Sequence, residues 1–325
     1  MTTRRTLLGL FALGLAATLA SAPASAQGNY PNKPIRWLVG YVPGGTTDIL
    51  ARLIGQYLSE KIGQQFIIEN KAGAGNNLAV EAVIAAPADG YTVLLVNPAN
   101  GINATLYKKL SFNFIRDIAP VGGILRVPNV MVVNNDVPAK TVKEFIDYAK
   151  VNPGKVNMAS SGNGTSVHLS GELFMAMTGV KMTHVPYRGS NPALTDIMGG
   201  QVQVLFDNMP SSIELIRSGK IRALAVTTEQ RAPYFPNVPT VDETVKGYEA
   251  SAWFGMGVKA GTPPEIIAFL NKAINEALAD PKIKAQLIDM SGILIPGTPA
   301  DLGKLFKDEV EKWAKVIQFS GAKPE

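Results

Sequence analysis

"GYVPGGTTDILARLIGQYL", residues 40–58, decides how the rest of the chain is read. A short apolar run ending at Tyr41 breaks at Pro43-Gly44-Gly45. Thr46, Thr47 and Asp48 follow, and then Ile49, Leu50, Leu53, Ile54, Tyr57 and Leu58 recur at the spacing of one helical face. The pattern predicts a strand, a glycine turn and a helix start. The first N–H groups of a helix have no partner within it and attract anions. The turn is therefore a candidate anion site.

Outward from this turn, β-like runs alternate with helical ones. Strands are predicted over 35–42, 64–70, 91–97, 156–161, 181–187, 202–208 and 221–228, and helices over 77–86, 141–150, 165–179, 191–200 and 211–219. Such alternation predicts an α/β protein with parallel sheets and helices on both faces. The segment 118–136 reads as extended chain broken at Gly122-Gly123 and Pro128, and 250–260 is a second extended crossing. Beyond it, 263–280 and 299–319 are amphipathic helices that should pack back on the first lobe. Two βα arrays with two crossings between them predict two lobes joined by hinge strands. The expected division is lobe 1 over 27–127 and 250–325, with lobe 2 over 128–249.

The chain opens with "MTTRRTLLGLFALGLAATLASAPASA". Arg4 and Arg5, the apolar run from Leu7 to Leu19 and the small-residue site Ala24-Ser25-Ala26 predict a secretory signal peptide over 1–26. The route is open, because Thr3-Arg4-Arg5 also resembles a loose twin-arginine signal. Removing the two arginines and no acids lowers the formal charge from +5 to +3. The lysines are scattered rather than blocked, which argues against a nucleic-acid partner. There are no cysteines, so an exported chain must rest on its own core.

Chemical motifs are absent in an informative way. Gly154-Lys155 and Gly219-Lys220 lack the upstream glycine of a phosphate-binding loop, and "GAGNNL" (73–78) has Leu78 where a dinucleotide fingerprint needs its third glycine. No G-x-S-x-G elbow occurs. His168 and His184 are the only histidines, too few to suggest a zinc site without cysteine; His168, one turn into an amphipathic helix, reads as an interior residue. What remains is a set of small-residue turns at strand ends: "PGGTTD" (43–48), "NPANG" (97–101), "SSGNGTS" (160–166) and "YRGSNP" (187–192). Open α/β sheets bind ligands beyond the carboxyl ends of their strands, where these turns fall. Each could be a capped helix start and no more; four on matching edges point to a ligand. Tyr41 could wall that site, while Asp48, which would repel an anion, reads as orienting the loop.

The stretches "YPNKPIRWLVGYVPGGTTDILARLI", "ENKAGAGNN", "ADGYTVLL", "SSGNGTSVHLSGELF", "HVPYRGSNPALTDIMGGQVQVLFDN" and "VPTVDE" occur in order along the chain. Together they resemble the Bug-type solute receptors of tripartite tricarboxylate transporters. The resemblance implies a periplasmic, two-lobed binding protein of type II (a Venus flytrap), here expected to be a monomer. It implies a small organic carboxylate held between the lobes, without metal or cofactor, and delivered to a membrane permease of one small and one large subunit. Carried onto this sequence, it points to Gly44, Gly45, Thr46 and Thr47, with Ala99 and Asn100, for one carboxylate. Ser161, Gly164, Thr165 and Ser166, with Arg188 and Asp207, would meet the far end. The chain departs from the family's pattern at Asn76, where glycine is usual, and at Asn97-Pro98-Ala99-Asn100, a turn often rich in Thr and Ser. A dicarboxylate of four to six carbons suits two anion-friendly ends. An exported enzyme acting on a small acid, and a regulator's sensing domain, are the competing readings.

Overall fold

The computed structural model describes residues 30–233 and 235–324. The leader expected over 1–26 lies outside the described residues. In chain order the strands are β1 (Ile35–Val39), β2 (Phe66–Asn70), β3 (Thr92–Val96), β4 (Ile118–Val133), β5 (Asn157–Ser160), β6 (Thr183–Pro186), β7 (Val204–Asn208), β8 (Arg222–Val226), β9 (Ser251–Lys259) and β10 (Ile293–Leu294). The helices are α1 (Thr46–Ile62), α2 (Asn77–Ala85), α3 (Pro98–Leu106), α4 (Phe114–Asp117), α5 (Val142–Val151), α6 (Ser166–Thr178), α7 (Ser190–Met198), α8 (Met209–Arg217), α9 (Pro264–Ala279), α10 (Pro281–Asp289) and α11 (Pro299–Ser320). The predicted strands and helices are present, and the structure adds α3, α4, α10 and β10. "NPANG", read as a turn, is the capped start of α3: Asn97 accepts from the N–H of Ala99, and Asn100 accepts from the N–H of Asn97.

The sheets are mixed rather than parallel throughout. β1 runs parallel to β2 and β3, and β5 runs parallel to β6 and β7. β9 is antiparallel to both β3 and β4, and β4 is antiparallel to β7 and β8. The reason is connectivity: β4 carries the chain out of the first lobe and β9 brings it back. β4 is also one strand, not a broken segment. Its glycine pair marks register shifts between Pro120 and Gly122 and between Gly123 and Leu125. Pro128 sits at the hand-over, where pairing with Ser251 of β9 ends and Asn129 begins pairing with β7. The crossing is tight, since a Cβ on Gly255 would lie 2.8 Å from the Gly122 carbonyl oxygen.

In the first lobe, α1, through Leu50 and Ile54, and α9, through Leu270 and Ile274, cluster with Trp37, Val121 and Phe254 on one face of the sheet. On the other face Phe114, Trp253, Leu302 and Phe306 cluster. In the second lobe, Phe145, Phe174, Phe206 and Tyr248 pack together. The tail does not pack only on the first lobe. α9 and α10 do, but α11 has 22 residues, about 33 Å of helix, and reaches both. Its Leu302 and Phe306 join the first-lobe cluster, whereas Trp313 is buried among the second-lobe aromatics and donates from Nε1 to Glu309 at 2.8 Å.

The turn between β1 and α1 is fixed by Asp48, as its position in the first helical turn suggested. Gly44 has φ +93°, which favours glycine, and its N–H donates to Asp48 Oδ2 at 3.1 Å. Arg52 donates to Asp48 at 2.9 Å, and Asn70 Nδ2 bridges Asp48 Oδ1 and the Tyr41 carbonyl, both at 2.9 Å. Burial pushes the Asp48 carboxyl up, but these donors outweigh it and hold it below the usual carboxylate range. A depressed native pKa contributes stability at neutral pH that is lost as pH falls through that pKa. Asp48→Asn should therefore lower stability by about 1–3 kcal/mol at pH 7. In thermal unfolding followed by circular dichroism, the gap between variant and parent should narrow as the parent's carboxyl protonates in acid. A gap independent of pH would deny Asp48 this role.

Candidate functional site

Five strand ends converge. β1, β3, β5, β6 and β7 lead at their carboxyl ends into α1, α3, α6, α7 and α8, and the first turns of these helices surround one cavity between the lobes. The first lobe supplies Tyr41, Gly45, Thr46, Thr47, Asn97 and Pro98, with Phe254 from β9. The second supplies Ser161, Thr165, Ser166, Ser190 and Asn208. The cavity measures ≈ 20 Å³, about one water's worth of space. The lobes are in direct contact beside it: Val42 N–H donates to the Arg188 carbonyl at 3.1 Å, and Thr46 Oγ1 lies 3.2 Å from Ser211 Oγ.

None of the lining residues carries a charge. The donors come from helix ends instead. α1, α7 and α8 begin at Gly45, Gly189 and Asn208 without a side-chain cap, so no capping side chain competes for their first N–H groups. By contrast α6 is capped by Thr165, which accepts from the N–H of His168 at 3.2 Å and donates to the Gly162 carbonyl at 2.7 Å. Three uncapped N-termini around an uncharged polar cavity make an anion-favouring field from partial charges alone.

The sequence-predicted residues divide by place. Tyr41, Gly45, Thr46, Thr47, Ser161, Thr165 and Ser166 line the cavity. Gly44 and Asp48 shape the turn behind it. Ala99 and Asn100 complete the cap of α3, while Asn97 and Pro98 of the same turn form the wall. Gly164 packs on the other lobe, where a Cβ would lie 2.0 Å from Asn103 Oδ1. Arg188 is exposed and opens on a neighbouring chamber of ≈ 540 Å³ bounded by Gly73, Gly75, Tyr107 and Tyr187. Asp207 is wholly buried, with its oxygens 2.6 Å from the hydroxyls of Ser190, Ser211 and Ser212. Burial raises its pKa above the usual carboxylate value, against the pull of those hydroxyls.

Sequence reasoning missed Asn97, Pro98, Ser190, Asn208 and Phe254 as lining residues. Ser190 was findable, because it follows the glycine in "YRGSNP" as Thr46 follows Gly45. Phe254 carries no such signal, since it is one apolar residue among many in β9. His168 is interior, as read. It stacks on His184 with ring centroids 4.1 Å apart, and burial, with electrostatic repulsion between the two rings, lowers the His184 pKa to about 3. Among the described residues no group of three or more His, Cys, Asp or Glu side chains could hold a metal ion, and no helix is long and apolar enough to cross a membrane.

Comparison with known proteins places this geometry. Residues 50–322 match the model of the tripartite tricarboxylate transporter family receptor, TctC. Protein BugT of Bordetella pertussis is 36% identical over 322 residues, spanning 98% of each chain. A UPF0065 protein encoded in the tcbD–tcbE intergenic region of Pseudomonas sp. strain P51 is 37% identical over 316 residues, covering 97% of this chain and 93% of that one. Among solved structures, the R. palustris protein Rpa4515 with adipate superposes with a TM-score of 0.89 at 38% identity, covering 91% of this chain and all of that one. MatC from Rhodopseudomonas palustris with bound malate has a TM-score of 0.85 at 31% identity, covering 89% of this chain and 100% of its own. The periplasmic binding protein BugD gives 0.88 at 32% identity, with 91% and 100% covered. With two lobes, crossing strands and relatives that match along nearly their whole length, the chain belongs to the tripartite tricarboxylate transporter receptor (TctC) family.

Proposed function

We propose that this protein is an exported receptor that captures a small dicarboxylate of four to six carbons between its lobes. It then presents the acid to a permease of one small and one large subunit, acting as a monomer without metal or cofactor. The observation that carries the reading is the set of uncapped helix N-termini around an uncharged cavity. One carboxylate belongs at the start of α1, on the N–H groups and hydroxyls of the 45–47 turn; the far end belongs with Ser161, Ser166 and the start of α7. The acids named with the two structural relatives, adipate and malate, each have two carboxyl groups of this span. The leader over 1–26, whether read by the general or the twin-arginine route, supports a periplasmic location.

The magnitudes suffice. Hydrogen bonds to a charged group contribute about 1.5–3 kcal/mol each, and each helix N-terminus about 0.3–1 kcal/mol. Four or five such bonds outweigh the several kcal/mol lost in ordering ligand and lobes, and a micromolar receptor needs about 8 kcal/mol net. An enzyme acting on the same acid is the competing reading, and a ligand recovered unchanged after prolonged incubation argues against it.

Gly45 has φ −87° and ψ 170°, a conformation open to any residue, and an added Cβ would sit at an ordinary 3.7 Å from Ser190. Gly45→Val should therefore fold normally, yet its branched methyls fill the cavity, and calorimetry should show binding abolished. Thr47→Val keeps the shape and removes a donor, weakening binding by about 1–3 kcal/mol. Arg188→Gln should cost much less than Gly45→Val. If Arg188→Gln abolished binding and Gly45→Val did not, the carboxylate would sit in the other chamber.

Closure is the second expectation. If β4 near Pro128 and β9 near Ser251 are the hinges between lobe 1 (27–127 and 250–325) and lobe 2 (128–249), small-angle scattering should show a smaller radius of gyration when a binding acid is added. An unchanged profile would point to a rigid pocket.

A further inference from the structure

The hydroxyl groups around the cavity are not equivalent, because some of their protons are already committed. Ser190 Oγ lies 2.6 Å from Asp207 Oδ1, and Ser211 and Ser212 stand at the same distance from Oδ2. An ionised carboxylate can only accept, so Ser190 and Ser212 point their single protons at Asp207, while Ser211 shares its own between Asp207 and the Asn208 carbonyl. Thr165 spends its proton on the Gly162 carbonyl, and Thr46 directs its own towards Ser211. Among the described residues no hydrogen bond uses the hydroxyl proton of Thr47, Ser161 or Ser166. These three are free to donate to a ligand oxygen.

Ser190 is the decisive member. It lines the cavity, its residue is 5% exposed, and Asp207 behind it is fully buried. Its remaining lone pair faces a ligand from which it can only accept. A ligand oxygen without a hydrogen placed there would meet lone pairs backed by a buried carboxylate, an unfavourable contact in a medium that screens poorly.

We propose that Ser190, its proton held by Asp207, selects for an acid that bears a hydrogen-bond donor (a hydroxyl or an ammonium group) between its carboxylates. The inference rests on the dicarboxylate reading above and narrows it to hydroxy- and amino-substituted members. The free hydroxyls of Thr47, Ser161 and Ser166, with the helix ends, take the carboxylates; Ser190 takes the substituent. The same logic makes Asp207 a positioning residue, buried too deep to touch the ligand.

The test is calorimetry with pairs of equal length: succinate against each enantiomer of malate and aspartate, glutarate against 2-hydroxyglutarate, and adipate against 2-hydroxyadipate. It is run at neutral and again at mildly alkaline pH, because burial raises the Asp207 pKa and higher pH favours its carboxylate form. In at least one pair the substituted acid should bind about tenfold tighter. Ser190→Ala should pull that ratio towards one. Asp207→Asn offers an amide donor in place of a lone pair, frees the Ser190 proton to turn into the cavity, and should shift preference to the unsubstituted acid. Circular dichroism establishes that each variant is folded, and if Asp207→Asn is not, Ser190→Ala decides. Unsubstituted acids binding as tightly in every pair would overturn the proposal while leaving the dicarboxylate reading standing. No binding by any of the acids would overturn both.

Discussion

Everything in this molecule hangs on the antiparallel pairing of β4 with β9. These strands run from the edge of one sheet half into the other, and their ladder extends from Ile118–Lys259 to Pro128–Ser251. Because β4 leaves the first lobe while β9 returns to it, their directions must oppose, and the parallel βα units on either side inherit their placement from this seam. Close approach of the two backbones at Gly122 and Gly255 sets how nearly the flanking helices converge. The cavity is a by-product of that spacing. It lies where the carboxyl ends of β1 and β3 in one lobe meet those of β5, β6 and β7 in the other.

A receptor built this way recognises an anion without a cation. A guanidinium in the cleft would contribute more Coulomb energy, but it would hold any anion and would itself need to be desolvated. Backbone N–H groups at helix ends are already oriented and cost nothing further to arrange. The one acidic group beneath the cavity, Asp207, would carry the opposite sign when ionised and is sheltered by three serines. On the proposed reading, selectivity depends on where protons point rather than on net charge, and side chains of one chemical type take opposite roles a few ångströms apart.

The stretch 40–58 carried most of the fold's information. Its glycine turn, caps and helical spacing predicted β1, α1 and the anion-favouring turn, and the same grammar recurred at 160–166 and 187–192. Asp48 was legible as a loop anchor because a carboxylate in a first helical turn has few other uses beside an anion site. Three features were not legible. Antiparallel pairing of β4 and β9 depends on where the chain returns, which local patterns do not encode. The helix at α3 hid behind Asn97-Pro98, since a turn and a capped helix start share residues. Phe254 and the reach of α11 are tertiary facts, visible only once distant segments pack. The structure does account for Asn76, where the family usually has glycine: its φ of +81° lies in the left-handed region, which asparagine tolerates better than other side chains.

The last helix has a mechanical meaning of its own. With Phe306 beside Trp253 in one lobe and Trp313 buried in the cluster that includes Phe174 and Tyr248 of the other, α11 is a strut across the seam. β4 and β9 can flex as a pair, like two leaves of a strap, but a rigid helix anchored at both ends resists simple bending. Rotation of the lobes must slide one of its anchors or twist about the helix axis. If the lobes close as proposed, the strut favours a screw over a jaw, and the surface offered to a permease would turn as well as narrow.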